Sequence, residues 1–145
     1  MSKYYIAKIR YEKTNENGNS KKVTETYLVD ALSFTEAEAR IIEEITPFIT
    51  GDFEVSNITP ANIAEIASAE DVNADKWYKC KLQYITRSEK SDAEKRTSSY
   101  MLVQAANSND AMKRFNEHMK GTMADYELVS VTETLIMDVF FYGKG

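Results

Sequence analysis

The chain is short of the residues from which most catalytic centres are built. Its 145 residues include one cysteine, one histidine, one tryptophan, two prolines and five glycines. The lone Cys80 excludes an internal disulfide framework. One histidine and one cysteine cannot supply a clustered zinc site, so no metal is expected. His118 falls on the polar side of a helical stretch and reads as solvated. Cys80 stands in KWYKCKLQY with no base nearby in sequence, and reads as a small core thiol rather than a nucleophile. There is no GxGxxG or Walker pattern, and so few glycines disfavour a backbone phosphate cradle. Glu36, Glu38, Glu43 and Glu44 form no DxD-like cluster and read as the wet face of a helix. No enzyme and no cofactor are expected. No apolar run approaches the ~18 residues of a membrane span. The opening MSKYYIAKIRYEK lacks the uninterrupted apolar core of a signal peptide. These absences point to a cytoplasmic protein with no membrane partner.

What remains is a globular composition, 43% hydrophobic and 28% charged. A chain of this length can bury roughly 70% of the surface it exposes when unfolded. The net charge of −5 means that the molecule as a whole does not attract nucleic acid.

Residues 3–13 alternate as a strand, with Tyr5, Ala7, Ile9 and Tyr11 on one face and Tyr4, Ile6, Lys8 and Arg10 on the other. Asn17-Gly18 tolerates the positive φ of a hairpin turn, and a second strand returns over about 21–32. Ser33 then reads as a helix N-cap with Glu36 three residues on, a capping box. The helix runs to about Ile45. Phe34, Ala37, Ile41 and Ile45 share a stripe, with Ile42 and Phe48 beside it, and Pro47 and Gly51 close the segment. FEVSNI, from Phe53, is a third strand.

The same pattern returns downstream. An offset of 73 aligns Lys3, Tyr5, Lys8 and Tyr11 with Lys76, Tyr78, Lys81 and Tyr84, and Tyr27 with Tyr100. An offset of 74 aligns Ala31, Ala37, Arg40 and Glu43 with Ala105, Ala111, Arg114 and Glu117. The offset then returns to 73 for Glu54, Thr59 and Ile63 against Glu127, Thr132 and Ile136. Ordered self-similarity at a fixed period is the signature of a repeat. PANIAEIAS could begin a short helix at Pro60, but its counterpart ETLIMDVFF is β-branched and aromatic. Strand is therefore expected in both copies, with Pro60 at an edge or bulge. RSEKSDAEKR reads as a charged hairpin loop. The expected fold is α+β: a tandem duplication of a β-β-α-β(β) unit, the last strand long, bent or split. The two copies would form a pseudo-twofold antiparallel-sheet domain with two helices. The expected organisation is a first repeat at 1–68, a linker at 69–75 and a second repeat at 76–145.

One pattern carries chemistry. Basic residues interleave with aromatics on the first strand of each copy: Tyr4, Lys8, Arg10 and Tyr11, then Trp77, Lys79, Lys81, Tyr84 and Arg87. Rings stack bases and cations hold phosphates. The bland alternative is a sheet with Lys and Tyr on its wet face and Trp77 as a core anchor. Asp30, in YLVDAL where a strand meets a helix, is either a turn residue or an acceptor for a ligand hydroxyl.

The segment VTETYLVDALSFTEAEAR, with KWYKCKLQY, EKSDAEKR and the ending VTETLIMDVF, resembles a family of small uncharacterised proteins from gut anaerobes and their phages. The family bears a domain-of-unknown-function label and offers no catalytic residues to transfer. The resemblance implies a phage or prophage setting inside a bacterial host cell.

Three readings follow. The first is a non-enzymatic protein that binds or sequesters a small phosphorylated, nucleotide-like ligand between the two repeats, as in counter-defence. Its contacts would be Tyr4, Lys8, Arg10, Tyr11, Asp30, Trp77, Lys79, Lys81 and Arg87. The second is a single-stranded nucleic-acid-binding protein of phage replication, less favoured because of the net charge. The third is a protein-interaction module without a ligand. A homo-oligomer is compatible with all three.

Overall fold

The alternating pattern of the first residues sets the first strand. In the computed structural model, which describes residues 3–90 and 92–141, β1 spans Lys3–Thr14 and β2 spans Ser20–Ala31. They pair antiparallel from Lys3↔Ala31 to Thr14↔Ser20. The turn between them is held by Asn15, whose Oδ1 accepts from the Asn17 and Asn19 amides at 3.0 Å each. Gly18 there adopts φ 82°, a conformation that a Cβ would penalise.

Helix α1 (Phe34–Ile45) begins at Ser33, whose Oγ accepts from the Glu36 amide at 3.2 Å. The Glu36 carboxylate reaches back to the Leu32 amide, also at 3.2 Å, so two otherwise unpaired donors are satisfied reciprocally. A 3-10 turn at Thr46–Phe48 ends the helix, with Pro47 in its first turn. Strand β3 (Phe53–Pro60) follows on the outer side of β1, and Pro60 is its last residue, on an edge strand as expected.

The segment after Pro60 is not helical. It is extended and broken, and resumes as the short strand β4 (Glu65–Ala67). The order then recurs as β5 (Lys76–Arg87), β6 (Glu94–Ala105), α2 (Ser108–His118), β7 (Asp125–Glu133) and β8 (Ile136–Phe140). The charged loop expected at 87–96 is shorter than its composition suggests. The β5–β6 ladder continues to Arg87↔Glu94, and Glu94 to Arg96 are strand. Helix α2 is capped by Asn107, which accepts from the Asp110 amide at 2.9 Å, while Asp110 accepts from the Ala106 amide at 2.9 Å.

The fold is α+β, with two helices and two four-stranded sheets among the described residues. One sheet has the order β3-β1-β2-β8 and the other β4-β6-β5-β7. Neither is purely antiparallel. Strand β8 lies parallel to β2, and β4 lies parallel to β6. A strand entering parallel cannot come from a tight hairpin, so it must arrive by a longer connection.

The chain accordingly divides into two compact units. Unit 2 is the continuous stretch Ile63–Thr134 and contains β4. Unit 1 holds everything up to Asn62 and then resumes at Leu135, which brings back β8.

Each unit has its own core between helix and sheet. In unit 1, Tyr5, Ala7 and Ile9 of β1 meet Val29 and Ala31 of β2, Ile58 of β3, and Ala37, Ile41 and Ile45 of α1. In unit 2, Tyr78, Cys80 and Leu82 of β5 meet Met101, Val103 and Ala105 of β6, and Ala111, Phe115 and Met119. Full burial of a large aliphatic or aromatic side chain contributes about 1.5–3 kcal/mol. The stripe read for α1 narrows in the structure. Phe34 is about half exposed, touching Tyr5 edge-on at 5.9 Å, and Ile42 and Phe48 stay exposed. The three core residues at 37, 41 and 45 already span the sheet, leaving the flanking positions outside the contact.

Candidate functional site

Residues two apart on a strand share a face, so the expected ligand set divides by parity. On β1, Tyr4, Lys8 and Arg10 point away from α1. Tyr11 points towards it and packs on the edge of the unit 1 core. Tyr4 is directly opposite Asp30 on β2. Asp30 is buried, 9% exposed, and its charge, after burial itself, pushes the Tyr4 phenol up. Lys8 is exposed. Arg10 reaches Glu54 of β3 at 3.4 Å, with both side chains more than half exposed. A pair so exposed and so long contributes little stability.

On β5 in unit 2, Trp77, Lys79 and Lys81 share the face away from α2. Trp77 is 4% exposed, buried on that face and outside the helix-side core, and its carbonyl accepts from both the amide and the hydroxyl of Thr134 at 2.9 Å. Lys79 Nζ lies 4.5 Å from the centre of the Tyr100 ring, a cation–π contact. Lys81 stands opposite Tyr100 in the ladder, and Arg87 is exposed at the far end of the strand. The nine candidates are thus distributed over two units, with Tyr4, Lys8, Arg10, Tyr11 and Asp30 in one and the other four in the second.

A concavity that includes Arg10 and Tyr11 lies in unit 1, at the hairpin end of the sheet. Arg10, Tyr11 and Glu12 of β1, Lys22 of β2, and residues 52–54 entering β3 line a hollow of about 300 Å³. The strand register explains who meets whom. Glu12 faces Lys22 across the hairpin, while Arg10 faces Glu54 and Tyr11 faces Phe53 across the other ladder. Two cations therefore stand together in a wall that also carries Glu12, Asp52 and Glu54. Tyr11 and Phe53 direct their rings to the helix-side core. Burial, then Glu25, pushes the Tyr11 phenol up, so it remains a neutral hydrogen-bonding group at any ordinary pH. Lys22 was missed in the sequence. Only the hairpin register around Asn17-Gly18, which sets Lys22 against Glu12, could have signalled it.

Unit 2 has a second concavity of about 560 Å³ between α2 and β7. It is lined by Met112 and Asn116 of the helix and by Leu128 to Val131 of the strand. It carries no charged residue. Burial pushes the Cys80 thiol up to about 11, which suppresses the thiolate. His118 Nε2 lies 2.9 Å from the Glu65 carboxylate, with both side chains exposed. Among the described residues, no group of three or more His, Cys, Asp or Glu is placed to hold a metal, and no helix is long and apolar enough to cross a membrane.

Two comparisons with known proteins bear on these features. Residues 3–142 match the model of a family described as a domain of unknown function (DUF4494). No curated protein matches the chain.

Proposed function

The chain belongs to the family of the domain of unknown function DUF4494, and on the geometry of its unit 1 we propose that it is a non-enzymatic binder of a small phosphorylated ligand of nucleotide type. One observation carries this reading: Arg10 and Lys22 stand together in a hollow of about 300 Å³ whose remaining charged groups are carboxylates. A phosphate would displace Glu54 from its loose contact with Arg10, because a charge-assisted guanidinium–phosphate pair is the stronger interaction. Glu12 and Asp52 would accept from sugar hydroxyls or an exocyclic amine. A lining of both signs thus suits a ligand with an anionic end and several hydrogen-bond donors, which a nucleotide has and inorganic phosphate lacks. Lys8 extends the same strand face, and Tyr4 with Asp30 lies farther along it.

The setting we propose is the cytoplasm of a bacterial cell carrying phage or prophage, where such a protein would sequester a nucleotide signal. This rests on the family resemblance in YLVDALSFTEAE. We also read the two β-β-α-β-β stretches as descendants of one duplicated module. The paired caps at Ser33 and Asn107 support this, as do matching core positions such as Ala37 with Ala111 and Ile41 with Phe115. Both outer strands also carry an irregularity at the same place, opposite Lys8/Ile9 and Lys81/Leu82.

The test is a melting-temperature screen against linear and cyclic nucleotides, with a single-stranded oligonucleotide alongside. A ligand present at a hundred times its dissociation constant adds about 2.7 kcal/mol if it binds only the folded state. One small nucleotide should raise the melting temperature, and Arg10→Ala and Lys22→Ala should each abolish the rise without altering the melting of the free protein. A rise with the oligonucleotide alone would replace this reading with nucleic-acid binding. A second reading, a protein-interaction module, is favoured by the uncharged hollow beside β7, where Met112 and Val129 are nearly half exposed.

A further inference from the structure

Unit 1 is completed by a strand that is not part of its own continuous chain. Strand β8 reaches β2 only after the whole of unit 2 has been traversed. It pairs with a single neighbour, β2, through Thr26↔Ile136, Tyr27↔Asp138, Leu28↔Val139 and Val29↔Phe140. Three further contacts seat it. The Phe140 ring stacks on Tyr27 with centroids 5.5 Å apart, Val139 is 7% exposed, and Arg40 of α1 donates to the Phe141 carbonyl at 2.6 Å. All the acceptor groups, β2, Tyr27 and Arg40, lie before Asn62.

The way into β8 is short and open. Strand β7 ends at Glu133, β8 begins at Ile136, and Leu135 between them is 85% exposed. Unit 2 also has a parallel edge strand, but one from its own continuous stretch. Its parallel strand β4 enters from β3 through a broken stretch and pairs only with β6, from Glu65↔Met101 to Ala67↔Val103. A parallel edge strand thus closes each sheet. In one case that strand leads directly into the rest of its own sheet. In the other it returns from the far end.

We infer that β8 is an exchangeable clasp, and that its partner surface, the open side of β2 with Tyr27 and Arg40, accepts β8 from a second copy of this chain as well as its own. Exchange breaks and remakes the same ladder, the same ring stack and the same arginine contact. Only association entropy and the tether favour the closed monomer. A short tether gives an effective concentration on the order of millimolar, so exchange between copies becomes competitive near that protein concentration or when the tether is strained.

The experiment uses two full-length variants, a tagged Thr26→Cys and an untagged Ile136→Cys, which face each other in the β2–β8 register. They are unfolded together, refolded at about 1 mM, diluted, separated by size and treated with a short thiol-to-thiol cross-linker. Cys80 is fully buried and does not compete. The expected result is a dimer fraction in which tagged and untagged chains become covalently joined. Deleting Leu135 strains the tether and should raise that fraction several-fold. A single monomeric species in the refolded mixture would overturn the inference. So would a dimer in which the tagged and untagged chains do not cross-link, since it would then use another surface. If the deletion variant does not fold, the cysteine pair alone decides.

Discussion

Units 1 and 2 have the same elements and similar cores, but they differ in how the chain enters them. Unit 2 is written in one continuous stretch, from its parallel strand β4 to its edge strand β7. Unit 1 has its parallel strand at the other end of the sequence. Local contacts close without long loops, whereas β8 must be held against the entropy of a connection as long as a whole unit. Unit 2 should therefore keep its structure when the chain is shortened at either end, and unit 1 should not. The charged hollow belongs to the more dependent unit, the uncharged one to the self-contained unit.

The largest effect should come from ending the chain at Thr134. Unit 1 then loses the Phe140–Tyr27 stack, the buried Val139 and the Arg40 anchor together. Hydrogen exchange should show the amides of β1 and β2 losing protection while those of β5 and β6 retain it. Equal loss in both would mean that the units do not differ in this way.

Next in size are the matched core positions. Phe115→Ala should cost about 3–5 kcal/mol and Ile41→Ala about 2–5 kcal/mol, since both side chains are fully buried. Chemical denaturation followed by exchange at each unit should assign each loss to its own unit. Smaller again are the caps, with Ser33→Ala and Asn107→Ala each costing about 1 kcal/mol.

Asp110 gives unit 2 a response to acid. The Ala106 amide, then Arg114, holds the Asp110 carboxyl below the usual range. A lowered folded value adds stability that is complete above the ordinary carboxylate range and is lost as pH falls through the folded value. Asp110→Asn should flatten that acid-side loss in a denaturation series across pH. An unchanged acid limb would remove the role given to the cap. The smallest effect is kinetic. Cys80 should resist alkylation at pH 8 until denaturant is added, and rapid labelling of the native protein would contradict its burial.

The sequence was most informative where one side-chain pattern decides one element. The alternation in KYYIAKIRYEK, the Asn17-Gly18 turn and the Ser33–Glu36 cap all appear in the structure. It was least informative where partners are distant in sequence. Nothing local to ETLIMDVFF says that it will run parallel to β2, because a strand's own residues show which face is apolar but not which edge it joins. The same limit hid Lys22, whose place in the hollow depends on the hairpin register and on β3 lying along β1. The basic-aromatic pattern located Arg10 and Tyr11. Parity then turned them to opposite faces, and burial took Trp77 into the interior.

The parallel strands are best tested by cross-strand amide and Cα-proton contacts in the NMR spectrum of the full chain at low concentration. The structure predicts contacts between Tyr27 and Asp138 and between Leu28 and Val139, together with Ile66 to Leu102. Contacts placing residues 136–140 alongside β6 instead, as a simple division of the chain into two sequence halves would require, would contradict it.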